Sequence, residues 1–387
     1  MNILHLSSKP VYPLVDGGCV AIAANLKALS ELSDQIGHIY IETHKHPASR
    51  DLYPKNTRFG LEEKQSMVST EISAIGALKG LLTGKNYNLS RFWSSEFADL
   101  LQQYLKVNKP DLIVLESLFL TPYLALIRSV STARIVVRTH NVEHQLWEQQ
   151  ASEASFPKKW YLKKLAKSLK KEEIASLNNV DLIWTLTEED ASQLKKSGVT
   201  TPITYIPVAV RTAASLPDYT NPDFFHLGAL NWEPNRLAVQ RLIGDIWPKL
   251  PNAPVLHIAG SFPEELELTP SPVLQLHGFV KDAAAFMRDH GTLATPIVSG
   301  SGVRIKLLEA MAAGVPCISS TKGASGIRLH DSPVKIADSD AEWVAALSEF
   351  SLSETIRREY GEKGKAYMDN YHSFTAVKAQ MLTSLGK

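Results

Sequence analysis

Cysteine is scarce in this chain. Its 387 residues hold two, Cys19 and Cys317, far apart in sequence, and that leaves neither a disulfide framework nor a cysteine-ligated metal cluster to build. Cys317 lies in an apolar run and Cys19 beside glycines, so both read as small buried groups in a reducing compartment. Net charge is scarce as well. Lysine and arginine total 41 against 40 acidic residues, a balance of +1, which gives no bulk drive toward nucleic acid or anionic membrane. No nucleic-acid partner is expected. No apolar run is long enough to span a bilayer, and the opening MNILHLS is a short strand pattern followed at once by polar residues, unlike a secretory leader. The expectation is a cytoplasmic protein. Internal repeats and low-complexity tracts are also missing.

What is present is the composition of a globular chain, 44% apolar and 21% charged, at a length that exceeds one ordinary core and suits two domains. Short apolar runs alternate with amphipathic stretches. Ile3–Leu6, Ile39–Ile41, Leu112–Leu115, Ile135–Arg138, Leu182–Thr185 and Thr204–Ile206 form one set of strand candidates. Phe224–Leu227, Val255–Ala259, Leu274–His277, Gly291–Thr295, Val315–Ser319 and Val334–Ile336 form a second. Most read as buried on both faces, the pattern of parallel sheets flanked by helices. The fold class is therefore α/β, with two doubly wound, Rossmann-like domains facing each other across a cleft. The segment IPVAVRTAASLPDYTNPD, with three prolines and no helical periodicity, reads as the linker. It divides an N-terminal domain, 1–207, from a C-terminal domain, 208–370.

The most informative stretch is TPIVSGSGVRIKLLEAMAAGVPCISSTKGASG, which begins at Thr295. It reads as a strand end, a Gly300-Ser301-Gly302 turn, a helix, and a second apolar strand. Glycines let backbone N–H groups approach an anion, and a helix N-terminus adds partial positive charge. Arg304 and Lys306 put two cations near that helix start, where the helix dipole disfavours them; an anionic ligand resolves the conflict. Glu309, further along, is placed to accept hydrogen bonds from vicinal ribose hydroxyls. Diphosphate plus ribose describes a nucleotide. Gly314, followed by Val-Pro, fits a helix C-terminus instead.

This stretch resembles the donor site of the GT-B glycosyltransferases, and the second half is similar to the nucleotide-binding domain of the retaining family-four enzymes (glycosyl transferases group 1). The similarity also runs through FHLGALNWEPNRLA, LHIAGSFP and LHGFVKD. The first half matches more loosely, through Gly17-Gly18 and RTHNVEH. Many members carry two glutamates spaced E-x7-E. Here the second is Glu309 and the first position is Ser301, the G-S-G-x-R-x-K form of a subgroup. The resemblance implies transfer of a sugar, with retention, from a UDP- or GDP-linked nucleotide-sugar to a saccharide or lipid-linked acceptor in cell-surface polysaccharide or glycoconjugate assembly. The nucleotide-sugar is a co-substrate, and no cofactor or metal is implied. It further implies donor contacts at Gly17, Gly18, Asn231, Gly300, Ser301, Gly302, Arg304, Lys306 and Glu309, and a last helix, 371–387, that crosses back onto the first domain. A GT-B-shaped sugar-nucleotide epimerase and a non-catalytic nucleotide-sugar-binding protein are the alternative readings.

Other motifs are weaker. Gly17-Gly18 lacks the tight G-x-G-x-x-G of a dinucleotide site, so NAD binding is rejected in favour of a flexible loop facing the donor phosphate. His140, Asn141 and Glu143 follow a strand, where polar residues line the crevice of an open sheet. His140 is taken, with Arg304 and Lys306, as a catalytic-site residue, Asn141 and Glu143 as acceptor contacts, and His144 as a packing or capping group. Asp338-Ser339-Asp340 spells a metal-type D-x-D but precedes a helix and reads as a cap. Residues 158–171, KKWYLKKLAKSLKK, form a basic amphipathic helix. It is either a solvated face or a contact with the anionic inner face of a membrane.

Overall fold

A computed structural model describes residues 1–44, 46–53, 62–68, 86–262, 268–300, 302–329 and 333–387. They fall into two compact units, Met1–Val208 with Lys378–Lys387, and Ala209–Val377.

The first unit is a seven-stranded sheet. Its strands are β1 Asn2–Ser7, β2 Gln35–Glu42, β3 Glu62–Met67, β4 Leu112–Glu116, β5 Arg134–Thr139, β6 Leu182–Thr185 and β7 Ile203–Tyr205. All pair in parallel, in the order β3-β2-β1-β4-β5-β6-β7. The central strands are buried on both faces, as their unbroken apolar runs require. β3, EEKQSM, carries no apolar pattern and was not foreseen; as an edge strand it has one ladder to satisfy and little core to fill.

The second unit holds six strands, β8 Phe224–Leu227, β9 Leu256–Ala259, β10 Leu274–Gly278, β11 Thr292–Thr295, β12 Cys317–Ser319 and β13 Lys335–Ile336. They are ordered β10-β9-β8-β11-β12-β13, again all parallel. In each sheet the order reverses once, between β1 and β4 and between β8 and β11. Beyond such a reversal the connecting helices leave on opposite faces, and a crevice opens outside the carboxyl ends of the two strands.

The proline-rich segment after Val208 packs within the second unit. Val210 N–H bonds the His372 carbonyl at 2.8 Å, Ala213 N–H the Ala312 carbonyl at 2.9 Å, and Tyr219 Oη the Gly314 carbonyl at 2.9 Å. The helix Phe374–Ser384 starts in the second unit and ends among the residues of the first. There Arg134 Nη1 donates to the Leu385 carbonyl at 2.9 Å and Trp184 Nε1 to Ser384 Oγ at 3.0 Å. Among the described residues no helix is long and apolar enough to cross a membrane, and both cysteines are buried and unpaired.

Candidate functional site

In the second unit the crevice at the β8/β11 reversal has a local cause. Backbone pairing of these strands covers only Thr292↔Phe224 and Leu293↔Phe225. One residue on, the buried His226 imidazole takes over, its Nδ1 donating to the Ala294 carbonyl at 3.0 Å. Burial pushes its pKa down to about 4, so the ring is neutral at physiological pH. Backbone pairing of the two strands stops short of it, and the loops that follow β8 and β11 leave from this reversal.

The loop after β11 carries Gly300 and Gly302, both in the left-handed region at φ +87° and +76°. The positive φ favours glycine at Gly300, where a Cβ would also lie tightly, 3.1 Å from Arg304 Nη2 and 3.3 Å from both Pro234 and Trp232. Arg304 caps the helix Ile305–Ala312 without a side-chain bond to it. Its guanidinium is buried, donates to the Ser299 carbonyl at 3.0 Å, and lies 4.9 Å from the centre of the Trp232 ring. Burial lowers its pKa to about 10, which still leaves it charged at neutral pH. Lys306 Nζ and Glu309 Oε2 pair at 2.8 Å on the same helix. The two groups assigned to diphosphate and to ribose thus hold each other in this state. Asn231 is exposed in the turn after β8, next to Trp232. Ser301 lies outside the described residues.

The first unit centres on Glu116, the last residue of β4, fully buried. Its carboxylate receives Arg138 Nη1 at 3.1 Å, His140 Nε2 at 2.8 Å, His5 Nε2 at 3.3 Å and the Asn25 amide. Burial alone would raise its pKa; Arg138, His140 and His5 outweigh burial and hold it well below the usual carboxylate range. Register explains the gathering, since Glu116 faces Ser7 on β1 and Arg138 on β5. His140 is partly exposed at the mouth of this cluster.

One reading needs correction. Gly17 and Gly18 are not loop residues. They form the first turn of the helix Gly17–Leu32, whose cap Asp16 accepts from Cys19 N–H at 2.7 Å and pairs with Lys9 at 2.7 Å. A carboxylate already sits on that helix start. His140 follows β5, whereas His144 belongs to a helix. The helix Glu143–Glu153 begins between them, and His144 Nδ1 and backbone N–H bond the buried Glu173 at 2.7 and 3.0 Å. Glu173 acts as the helix cap, so Glu143 sits beside a second carboxylate. Burial first, and then Glu173, raise the Glu143 pKa to about 7. The D-x-D segment is a helix cap, as read, through Ser339 in a reciprocal box with Glu342, while Asp340 pairs with Arg241 and Lys249 at 2.9 and 3.0 Å.

Sequence reasoning gave no role to Arg138 or Trp232, and placed Glu116 after a strand, able to enter the cleft, with nothing in its spacing to single it out. A charged residue at the end of each of two apolar runs, LIVLE and IVVR, was the available signal for Glu116 and Arg138.

Comparison with known proteins adds the following. Residues 221–351 match the family model described as glycosyl transferases group 1. No curated protein matches the sequence. Among solved structures, Anabaena HepE in complex with UDP is similar, with a TM-score of 0.69 at 12% identity over 100% of both chains. Sucrose-phosphate synthase from Thermosynechococcus elongatus gives 0.71 at 13% identity, covering 100% of this chain and 98% of that one. The lipopolysaccharide outer core galactosyltransferase WaaB in its apo form gives 0.63 at 13%, covering 100% and 99%. At such identities these likenesses speak for the fold. Two all-parallel Rossmann-like sheets, with a last helix whose end belongs to the first unit, give the chain the GT-B fold, and its residues 221–351 match the family of glycosyl transferases group 1.

Proposed function

We propose that this chain is a nucleotide-sugar-dependent glycosyltransferase that acts with retention on a saccharide or lipid-linked acceptor. One observation carries the reading. In a group 1 domain, the loop at the sheet reversal brings two glycines, a buried Arg304 stacked on Trp232, Lys306 and Glu309 to one helix start. In this reading Arg304, Lys306 and the N–H groups of the Gly300–Gly302 turn take the diphosphate. Glu309 takes the ribose hydroxyls, so donor binding exchanges the Lys306–Glu309 pair for two ligand contacts. Donor contacts at Asn231, Gly17 and Gly18 belong to the same proposal. Asp16 on the helix start weakens the claim of the two glycines to a phosphate.

For the chemistry, the bond from the anomeric carbon to the leaving phosphate oxygen breaks while the acceptor hydroxyl oxygen bonds that carbon on the same face. The hydroxyl proton passes to the leaving phosphate. Charge on that group is stabilised by fixed cations. His140, oriented by Glu116, and Asn141 and Glu143 are assigned to sugar and acceptor hydroxyls.

The donor base is a uridine or a guanosine. HepE structures hold UDP and UDP-glucose, which favours testing uridine first. A thermal-shift panel of UDP, GDP and their sugars tests the reading. A ligand at 100-fold its dissociation constant stabilises its unit by about 2.7 kcal/mol. No shift with any nucleoside diphosphate would reject a donor site. Slow release of free sugar from the stabilising donor separates a transferase from a pure binder, and its isomerisation would mark an epimerase.

A further inference from the structure

We propose that His257, His277 and His290 form a zinc site in the second unit, independent of the donor site. His257 is the second residue of β9, His277 lies one residue before the end of the edge strand β10, and His290 follows the helix Ala283–Asp289. Each offers one ring nitrogen, and the three nitrogens lie within 4.8 Å of one another. The tightest pair, His257 Nδ1 and His277 Nε2, shares a hydrogen bond at 3.0 Å, whose proton a bound ion would displace. Tetrahedral zinc with bonds of about 2.0–2.1 Å places its ligand nitrogens about 3.3–3.4 Å apart. The pair already fits, and the third ring needs to close by little more than an ångström.

The outer nitrogens are arranged as metal-bound imidazoles require. His290 Nδ1 donates to the Phe286 carbonyl at 2.8 Å, which leaves the Nε2 lone pair for a ligand. His257 Nε2 faces Asp223 Oδ2 at 3.6 Å, which directs its proton there and leaves Nδ1 as the donor atom. Asp223 is itself anchored by the Val255 N–H at 3.0 Å. Phe286 stacks on His290 with ring centres 4.0 Å apart and meets His277 edge-on at 5.1 Å, so both rings are held. Gly291, at φ +80°, lets the chain turn against Asp223; a Cβ there would lie 2.1 Å from the Asp223 carbonyl oxygen.

Three neutral imidazoles are a borderline donor set suited to zinc. His277 is exposed, which gives the ion a way in and leaves its fourth position to water. β10 is the sheet edge, two places from β8, so a bound ion would tie that edge to β9 and to the chain entering β11.

The test is calorimetric titration of the untagged full chain with zinc chloride, with melting curves beside it. Binding of one zinc per chain at micromolar affinity or tighter is expected, with a melting temperature raised by zinc. His277→Ala and His290→Ala should each weaken binding at least tenfold and abolish the thermal shift, while His44→Ala in the first unit leaves both unchanged. Far-UV circular dichroism checks that the variants fold, and His277, on the surface, is the safer of the two. Absence of binding, or binding of equal strength in both variants, overturns the site. Neither outcome bears on nucleotide binding.

Discussion

Arg304 and Glu116 are both buried charges, and burial gives them opposite expected roles. Arg304 lies over an indole and bonds a carbonyl beside the Gly300–Gly302 turn, where the proposed diphosphate would sit. Its replacement by alanine should weaken UDP (or GDP) binding while leaving uridine (or guanosine) nearly unchanged. A charge-assisted bond of about 1.5–3 kcal/mol corresponds to roughly ten- to a hundredfold in affinity. Equal losses for diphosphate and nucleoside in calorimetry would take Arg304 off the phosphate. Glu116 is already satisfied by Arg138, His140, His5 and Asn25. Glu116→Gln strands the buried Arg138 guanidinium and should cost about 3–5 kcal/mol of stability, read as a lowered urea midpoint for the first unit. Because the Glu116 pKa is depressed, its contribution is present above the ordinary carboxylate range and is lost as pH falls toward the folded value.

At the scale of elements, two helices carry consequences. The helix Glu143–Glu153 begins with Glu143 facing the capping carboxylate of Glu173, and the Glu143 pKa is raised to about 7. A carboxyl whose folded pKa is raised favours folding while protonated, and that advantage disappears as pH rises through the folded value. Glu143→Gln should therefore melt above the unmutated protein at pH above about 7, and the gap should close in mild acid. A gap independent of pH would show that Glu143 does not titrate there. The helix Lys158–Leu177 buries Leu162, Leu165, Leu169 and Leu177 in the first unit. Its leucines are thus core, as the solvated-face reading requires. The opposite face retains Lys163, Lys164 and Lys167 with Trp160 at 53% exposure, and the adjoining Phe156 stands at 82%. Lysines with protruding aromatics suit an anionic lipid surface, each lysine near it contributing about 1 kcal/mol. Replacing Lys163, Lys164, Lys167 and Lys170 with glutamine should abolish pelleting with phosphatidylglycerol vesicles and leave donor affinity intact. Failure of the unmutated protein to pellet at low salt would return the helix to a solvated face.

At the scale of the whole molecule, the last ten residues belong to the unit that contains the N-terminus. Arg134, Trp184 and Glu31 all bond this segment, through Leu385, Ser384 and Lys378. Deleting 378–387 should lower the melting temperature of the first unit and leave the nucleotide-induced shift of the second unit in place. Loss of the nucleotide shift on deletion would mean that the second unit depends on the tail.

Much of this architecture was legible in the chain itself. β6 and β8 are legible to the residue, and every other strand of both sheets except β3 within a few positions, because a buried parallel strand is an apolar run bounded by turn residues and needs no knowledge of its neighbours. The phosphate-type loop was legible for the same reason, since Gly300, Gly302, Arg304, Lys306 and Glu309 act within one turn-helix unit. β3 escaped because an edge strand need not be apolar. The Glu116 cluster escaped because its members come from β1, β4, β5 and the first helix and meet only through strand order, which local hydrophobic pattern does not encode. Trp232 beneath Arg304 and the three histidines of β9, β10 and the segment before β11 are of the same kind. Sequence alone determined most of the segments that become strands and helices, and the turn-helix unit that carries Gly300, Gly302, Arg304, Lys306 and Glu309. Only the tertiary structure decided which distant side chains share a low-dielectric interior, and that sharing sets their charge states and partners.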